Sequence, residues 1–401
     1  MRFPFTKTRP PTIITLCFCS AVLLLCGCSS KVVKTANPEP VITEAGEVRE
    51  DLLLDVGVEI FGTGIDDAPE DEDYLLFAEV RKAESRYMPV QVMESLQISS
   101  AWGPVRVVPP QEGNVDVYVE GDILQSDGEI LALLIRVSDA TGRIWYSKIY
   151  EGLASKYAYE SRARDRGDPF QNIYNRIAND MREYQMTLSD EDKLTIRRVS
   201  ELRFAQAFSP DAFSGHLEQN KAGRYELVRL PAENDPMLLR IHQIRERDYL
   251  FIDTLQDYYG GFVKNMQQPY QEWRKQTYHE VTSMRKLQQE SRRRTIAGVL
   301  SVLGGIAAVG SSNGSLSAAG YTGILGGGYL VKSGFDINSQ SKIHIEALQE
   351  LGDSLEAEIE PKVIELEDQT ITLSGTVENQ YDQWRQLLKN IYQLDTGAAV
   401  N

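Results

Sequence analysis

The chain of 401 residues sets 42 lysines and arginines against 58 acids, a net charge of -16, with 42% hydrophobic and 25% charged residues. That balance excludes a disordered chain and a polytopic membrane protein, and 4 cysteines are too few for a disulfide-dense miniprotein. The acidic surplus argues against a general nucleic-acid binder, whose phosphate contacts need Lys and Arg.

The cysteines are Cys17, Cys19, Cys26 and Cys28, and they sit in one stretch. Before them come Arg2, Lys7 and Arg9 without an acid, then an apolar run over residues 13–25. The run is too short to span a bilayer and has the length of a signal-peptide core. It ends in Leu25-Cys26-Gly27-Cys28, which resembles the bacterial lipobox, where a small residue precedes the cysteine that is acylated. The resemblance implies a signal peptide over 1–27, cleavage before Cys28 and a lipid on its sulfur. Ser29 follows, not the aspartate that retains enterobacterial lipoproteins in the inner membrane, so outer-membrane sorting facing the periplasm is expected. Cleavage leaves 39 cations against 58 acids, or -19, and no free thiol. Residues 28–50 read as a tether.

A strand-like mixture over 51–61 ends at Gly62-Thr63-Gly64. The acidic run from Asp66 to Asp73 fits a helix start, whose dipole it complements, and lacks the glycine and terminal glutamate of an EF-hand. Residues 74–99 predict a helix interrupted at Pro89. Residues 105–108, 115–125, 130–137 and 143–150 predict strands, with hairpin signals at Ser126-Asp127-Gly128 and Asp139-Ala140-Thr141-Gly142. Residues 170–186 and 191–208 predict helices, the second opened by Ser189-Asp190. This order predicts an α+β fold whose first domain, over 51–208, is a mixed α/β sandwich.

The stretch "WGPVRVVP", then "DVYVEGDI", then "LIRVSDATGRIWYSKIYEG" resembles the envelope domain shared by CsgG, LpoB and the N-terminal part of TolB. Asp116, Tyr118, Gly121, Asp139, Thr141, Gly142 and Trp145 occupy comparable places, with slightly different spacings. The likeness covers about 51–180 and implies a non-enzymatic module that associates with envelope partners.

Residues 209–235, with Pro210, Gly215, Gly223 and Pro231, read as a linker. Over 236–294 an amphipathic helical region follows, with Ile252, Leu255, Tyr259, Phe262, Met266, Tyr270 and Trp273 at spacings of three and four. Gly260-Gly261 and Pro269 are expected to bend it. The stripe fits either a partner surface or the inner side of a helical hairpin.

Residues 295–334 form a glycine-rich apolar segment, uncharged over 295–331 and preceded by Arg292-Arg293-Arg294. It predicts a helical hairpin with a polar elbow at 311–315. Small residues recur at helical spacing: Ser301/Gly305, Gly304/Ala308 and Ala319/Gly323/Gly327. Such spacing lets helices approach closely, as in a glycine zipper. Each arm is shorter than the roughly 20 residues a spanning helix needs. The hairpin therefore either associates with the membrane or packs on itself and neighbouring subunits. Over 335–401 a helix at 345–359, a hairpin at 363–377 and a helix at 381–394 predict a helix-hairpin-helix unit ending in ββα. Ile371-Thr372-Leu373-Ser374-Gly375-Thr376-Val377 resembles the start of the small BON domain of envelope proteins.

His216, His242, His279 and His344 are scattered, and no Walker loop, nucleophile elbow or dinucleotide fingerprint occurs. No catalytic residue, metal ligand or cofactor is expected, and a cell-wall hydrolase has no residues to name. The expected function is a lipid-anchored outer-membrane scaffold or assembly factor for an envelope or secretion complex, homo-oligomeric and held by its N-terminal lipid. The alternative is an oligomeric secretion-channel subunit similar to CsgG using 295–331, although no pair of roughly ten-residue strands of alternating polarity is evident for a barrel.

Overall fold

The computed structural model describes residues 38–46, 48–66, 77–109, 115–159, 167–308, 346–347, 349–350, 362–366 and 369–396. The fold is mixed α/β: a five-stranded sheet, then helices, then a two-stranded hairpin and a last helix. Strand β1 (Val56–Glu59) lies between β2 (Val105–Val108) and β3 (Val117–Ser126), parallel to both. From β3 the chain meanders antiparallel through β4 (Ile130–Asp139) and β5 (Ile144–Leu153), giving the order β2-β1-β3-β4-β5. Three of these strands run ten residues, longer than the sequence suggests for β4 and β5.

Helix α1 (Ala78–Ile98) crosses between β1 and β2 and is buried on almost every side. Pro89 does not interrupt it. A proline cannot donate to the carbonyl four residues back, and here that carbonyl, on Ser85, instead accepts from the Phe61 amide at 3.0 Å. Helix α2 (Gln171–Thr187) packs beside α1 and β5, burying Ile173, Tyr174, Ile177 and Met181. Helix α3 (Asp190–Phe208) opens with a capping box, Ser189 and Asp192 each satisfying the other's backbone amide.

Residues 209–235, expected as a linker, pack back on the α/β body. They contain helix α4 (Pro210–Phe213) and the hairpin of β6 (Leu217–Gln219) and β7 (Tyr225–Leu227). The Tyr225 amide donates to the Thr141 carbonyl at 2.8 Å, and the Arg203 guanidinium lies 4.6 Å from the Tyr225 ring.

Helix α5 (Pro236–Ala308) spans 73 residues, about 110 Å at 1.5 Å per residue. The expected bend at Gly260-Gly261 and Pro269 does not break it. The predicted stripe Ile252, Leu255, Tyr259, Phe262, Met266, Tyr270 and Trp273 is buried throughout, so tertiary packing outweighs the propensity cost of those residues. The helix also runs unbroken across residue 295 into the glycine-rich segment. The C-terminal ββα unit is seen as β8 (Lys362–Leu366), β9 (Gln369–Leu373) and α6 (Val377–Thr396). It returns to α5, with Trp384 stacked on Phe251 at 5.0 Å and Arg385 Nη1 donating to Asp248 at 3.3 Å. The expected helix at 345–359 falls mostly outside the described residues.

Candidate functional site

The densest chemistry lies where α5 crosses the body. Trp273 and Arg274 are completely buried there. Arg274 Nη1 donates to Asp168 Oδ2 at 2.7 Å, and the guanidinium covers the Tyr270 ring at 3.7 Å and the Phe170 ring at 5.0 Å. The Tyr270 and Ser126 hydroxyls both donate to Glu84 Oε1, and Arg81, one turn earlier on α1, lies 3.7 Å from the other Glu84 oxygen. Tyr87 donates to Asp168 at 3.1 Å. Burial raises the Glu84 carboxyl, with Arg81 pulling it back. Burial works against the Arg274 charge too, but Asp168 together with Tyr270, Tyr174 and Tyr159 outweighs it and holds the group charged.

Further along, Arg285 pairs with Asp127 Oδ2 at 2.6 Å and with Glu129. The turn between β3 and β4 meets the helix at Gly128, whose φ is +79°. A Cβ there would lie 2.6 Å from the Arg274 carbonyl oxygen, so glycine is needed for both the turn and the close approach.

The opposite end of the sheet holds an open cleft of about 430 Å³, lined by Asp55, Asp116, Arg197, His242, Arg245 and Tyr249 among others. Burial pushes Asp116 up to about 6; Arg245 opposes that rise and Asp55 adds to it. Asp116 accepts from the Asp55 amide at 3.0 Å and lies 4.0 Å from both Arg197 and Arg245. Arg245 donates to Ser200 Oγ, which donates to the Val115 carbonyl. The cluster thus joins β3, α3 and α5 through charge, and its lining offers no thiol or hydroxyl nucleophile beyond the Tyr249 phenol.

A strap, residues 38–46, runs along α2 on a ladder of polar side chains. The Glu39 amide donates to Asn172 Oδ1 at 2.8 Å and the Ile42 amide to Asn179 Oδ1 at 2.7 Å. In return Asn175 Nδ2 donates to the Glu39 carbonyl and Asn179 Nδ2 to the Pro40 carbonyl. Arg182 pairs with Glu44, and the Glu44 amide donates to the Ser99 carbonyl. Residues 172, 175, 179 and 182 recur at three and four, one helix face. The later part of the expected 28–50 tether is therefore bound to the body.

The residues that carry the family resemblance do structural work. Asp139 Oδ1 accepts from the Thr141 amide at 2.9 Å, and Oδ2 accepts from Trp145 Nε1 at 2.9 Å. Trp145 stacks between Tyr184 at 4.8 Å and Trp102 at 6.2 Å. Gly121 lies under Phe61, whose ring would meet a Cβ at 2.6 Å. Comparison of the chain with protein-family models, with characterised proteins and with solved structures gives no match.

Of the residues singled out from sequence, Ser301, Gly304, Gly305 and Ala308 fall on the last turns of α5, where their spacing places them on one stripe. Cys28, Ala319, Gly323 and Gly327 lie outside the described residues. Among the described residues, no helix is long and apolar enough to cross a membrane, and no group of three His, Cys, Asp or Glu is placed to hold a metal. Sequence reasoning missed Glu84, Asp168, Arg274 and Arg285, because the pairs join residues far apart in the chain. The asparagine ladder was readable as a three-four spacing of amides.

Proposed function

We propose that this protein is a non-enzymatic lipoprotein of the bacterial outer membrane, attached through Cys28, facing the periplasm and serving as a scaffold or assembly factor for an envelope or secretion complex. The observation that carries the scaffold reading is the mounting of α5. Completely buried charges fix the helix to the α/β body, and from Arg285 it continues to Ala308 as a helical extension. The perturbed carboxylates Glu84 and Asp116 face arginines of the protein itself, which supports a structural use of those charges. The lipobox-like sequence and Ser29 support the address.

A second reading, an oligomeric secretion-channel subunit similar to CsgG, draws on the continuity of α5 into the small-residue stripe. Mass analysis of the N-terminal peptide and size-exclusion mass in mild detergent test both. A diacylglyceryl adduct on Cys28, with envelope proteins that co-purify only when residues 286–331 are present, supports the scaffold. A ring of many copies that falls apart on deleting 295–331 supports the channel. An unmodified Cys28 overturns the address, and a bare monomer without detergent after Cys28→Ala overturns the channel.

A further inference from the structure

The strap and the extension of α5 belong to the same pole of the body. The strap enters at Asn172, in the first turn of α2, and Asp168 just before that turn holds Arg274 of α5. Tyr159 donates to the Gly128 carbonyl at 2.5 Å and its ring lies 5.3 Å from Tyr278, while Arg285 reaches Asp127 and Glu129 of the same turn. At the other pole are the β4–β5 turn, with β7 hydrogen-bonded to it, and the Asp116–Arg245 cluster. From Arg245 to Arg285 α5 rises about 60 Å, from that second pole towards the first, and then continues for 23 residues to Ala308.

We propose that the pole formed by the start of α2, the β3–β4 turn and residues Lys156–Tyr159 faces the membrane that holds the Cys28 lipid, and that the end of α5 docks on that same leaflet. This rests on lipidation of Cys28. Two lengths agree. The ten residue steps from Cys28 to Pro38 reach at most about 36 Å when extended. The helix from Arg285 to Ala308 rises about 35 Å. A lipid held by that tether keeps its leaflet within the length of the α5 extension.

Charge follows the same direction. Leaving the body, α5 first carries Arg292, Arg293 and Arg294, about 10 to 14 Å beyond Arg285 at helical rise, and then the uncharged positions 295–308. Cations followed by apolar residues match the order of lipid phosphates and acyl chains. Positions 295–308 rise about 20 Å, enough to carry the helix past the headgroups into one leaflet of a hydrocarbon core roughly 30 Å thick. The occupant of this pole is a phospholipid surface.

The test uses the lipidated mature chain in vesicles of phosphatidylethanolamine and phosphatidylglycerol. With Cys28 acylated there is no other thiol, so single variants Lys156→Cys, Lys221→Cys and Ser301→Cys each take one fluorophore. Energy transfer to a headgroup-labelled acceptor lipid is expected to be several-fold greater from Lys156→Cys than from Lys221→Cys. The Ser301→Cys label is expected to be quenched by brominated acyl chains. The triple variant Asn172→Ala, Asn175→Ala, Asn179→Ala releases the strap and should reduce the contrast between the two body sites while the lipid stays on. Equal transfer from both body sites, or an unquenched Ser301→Cys label, overturns the inference while leaving lipidation intact. A Cys28 peptide without lipid removes the reading beneath it, and the inference falls with it.

Discussion

A single arginine illustrates how charges hold this protein together. Arg274 is buried against Asp168 and two aromatic rings, and removing it leaves Asp168 uncompensated. Breaking a buried pair in this way costs roughly 3–5 kcal/mol, so Arg274→Met should lower the urea midpoint markedly without changing the slope. Asp139→Ala removes the acceptor for the Thr141 amide and for the Trp145 indole. The buried donors left behind cost about 1–3 kcal/mol, measurable in the same unfolding curve and in tryptophan emission. Glu59 gives a pH signature: burial, with Glu120 nearby, pushes its carboxyl up to about 7 from 4.5. Between those values the folded state keeps a proton that the unfolded chain has released, so Glu59 lowers stability as pH rises through that window. Glu59→Gln should therefore be more stable than the parent at pH 8 and match it near pH 4, by denaturant midpoints at the two pH values.

Among the elements, the sheet was largely readable in the sequence, because apolar runs closed by Gly and Asp turns specify strands locally. Val105–Val108 falls where it is expected, and the hairpin signals at Gly128 and Gly142 sit at real turns with positive φ. The helices were readable in position but not in continuity. Pro89 is tolerated because Phe61, on a distant segment, takes over the freed Ser85 carbonyl, which no local rule anticipates. Pro269 and Gly260-Gly261 are carried by the buried stripe around them. The outer edge of β2 is another long-range feature. Gln256 of α5 accepts from the Val107 amide and donates to its carbonyl, both at 2.9 Å, covering the strand edge. Gln256→Ala should cost about 1 kcal/mol and speed exchange of the Val107 amide, seen by hydrogen-exchange mass spectrometry. Exchange unchanged at Val107 would count against the edge-covering role.

Across the whole molecule, the lipobox-like run and the glycine-rich segment stand out in the sequence because they are local patterns, whereas the candidate site does not. Asp168 and Arg274 are 106 residues apart, and Asp127 and Arg285 are 158 apart. Nothing in either neighbourhood marks the pairing. Those contacts convert a long amphipathic helix into an arm fixed on an α/β body, the feature on which the proposed scaffold role rests. Rigid mounting is the claim on which this depends, and pulsed electron-electron distances between spin labels at Lys221→Cys and Lys286→Cys, in a background with Cys17, Cys19, Cys26 and Cys28 all changed to alanine, measure it directly. A single narrow distance distribution that broadens on adding Arg274→Met is expected, and a broad distribution in the parent would contradict a fixed arm.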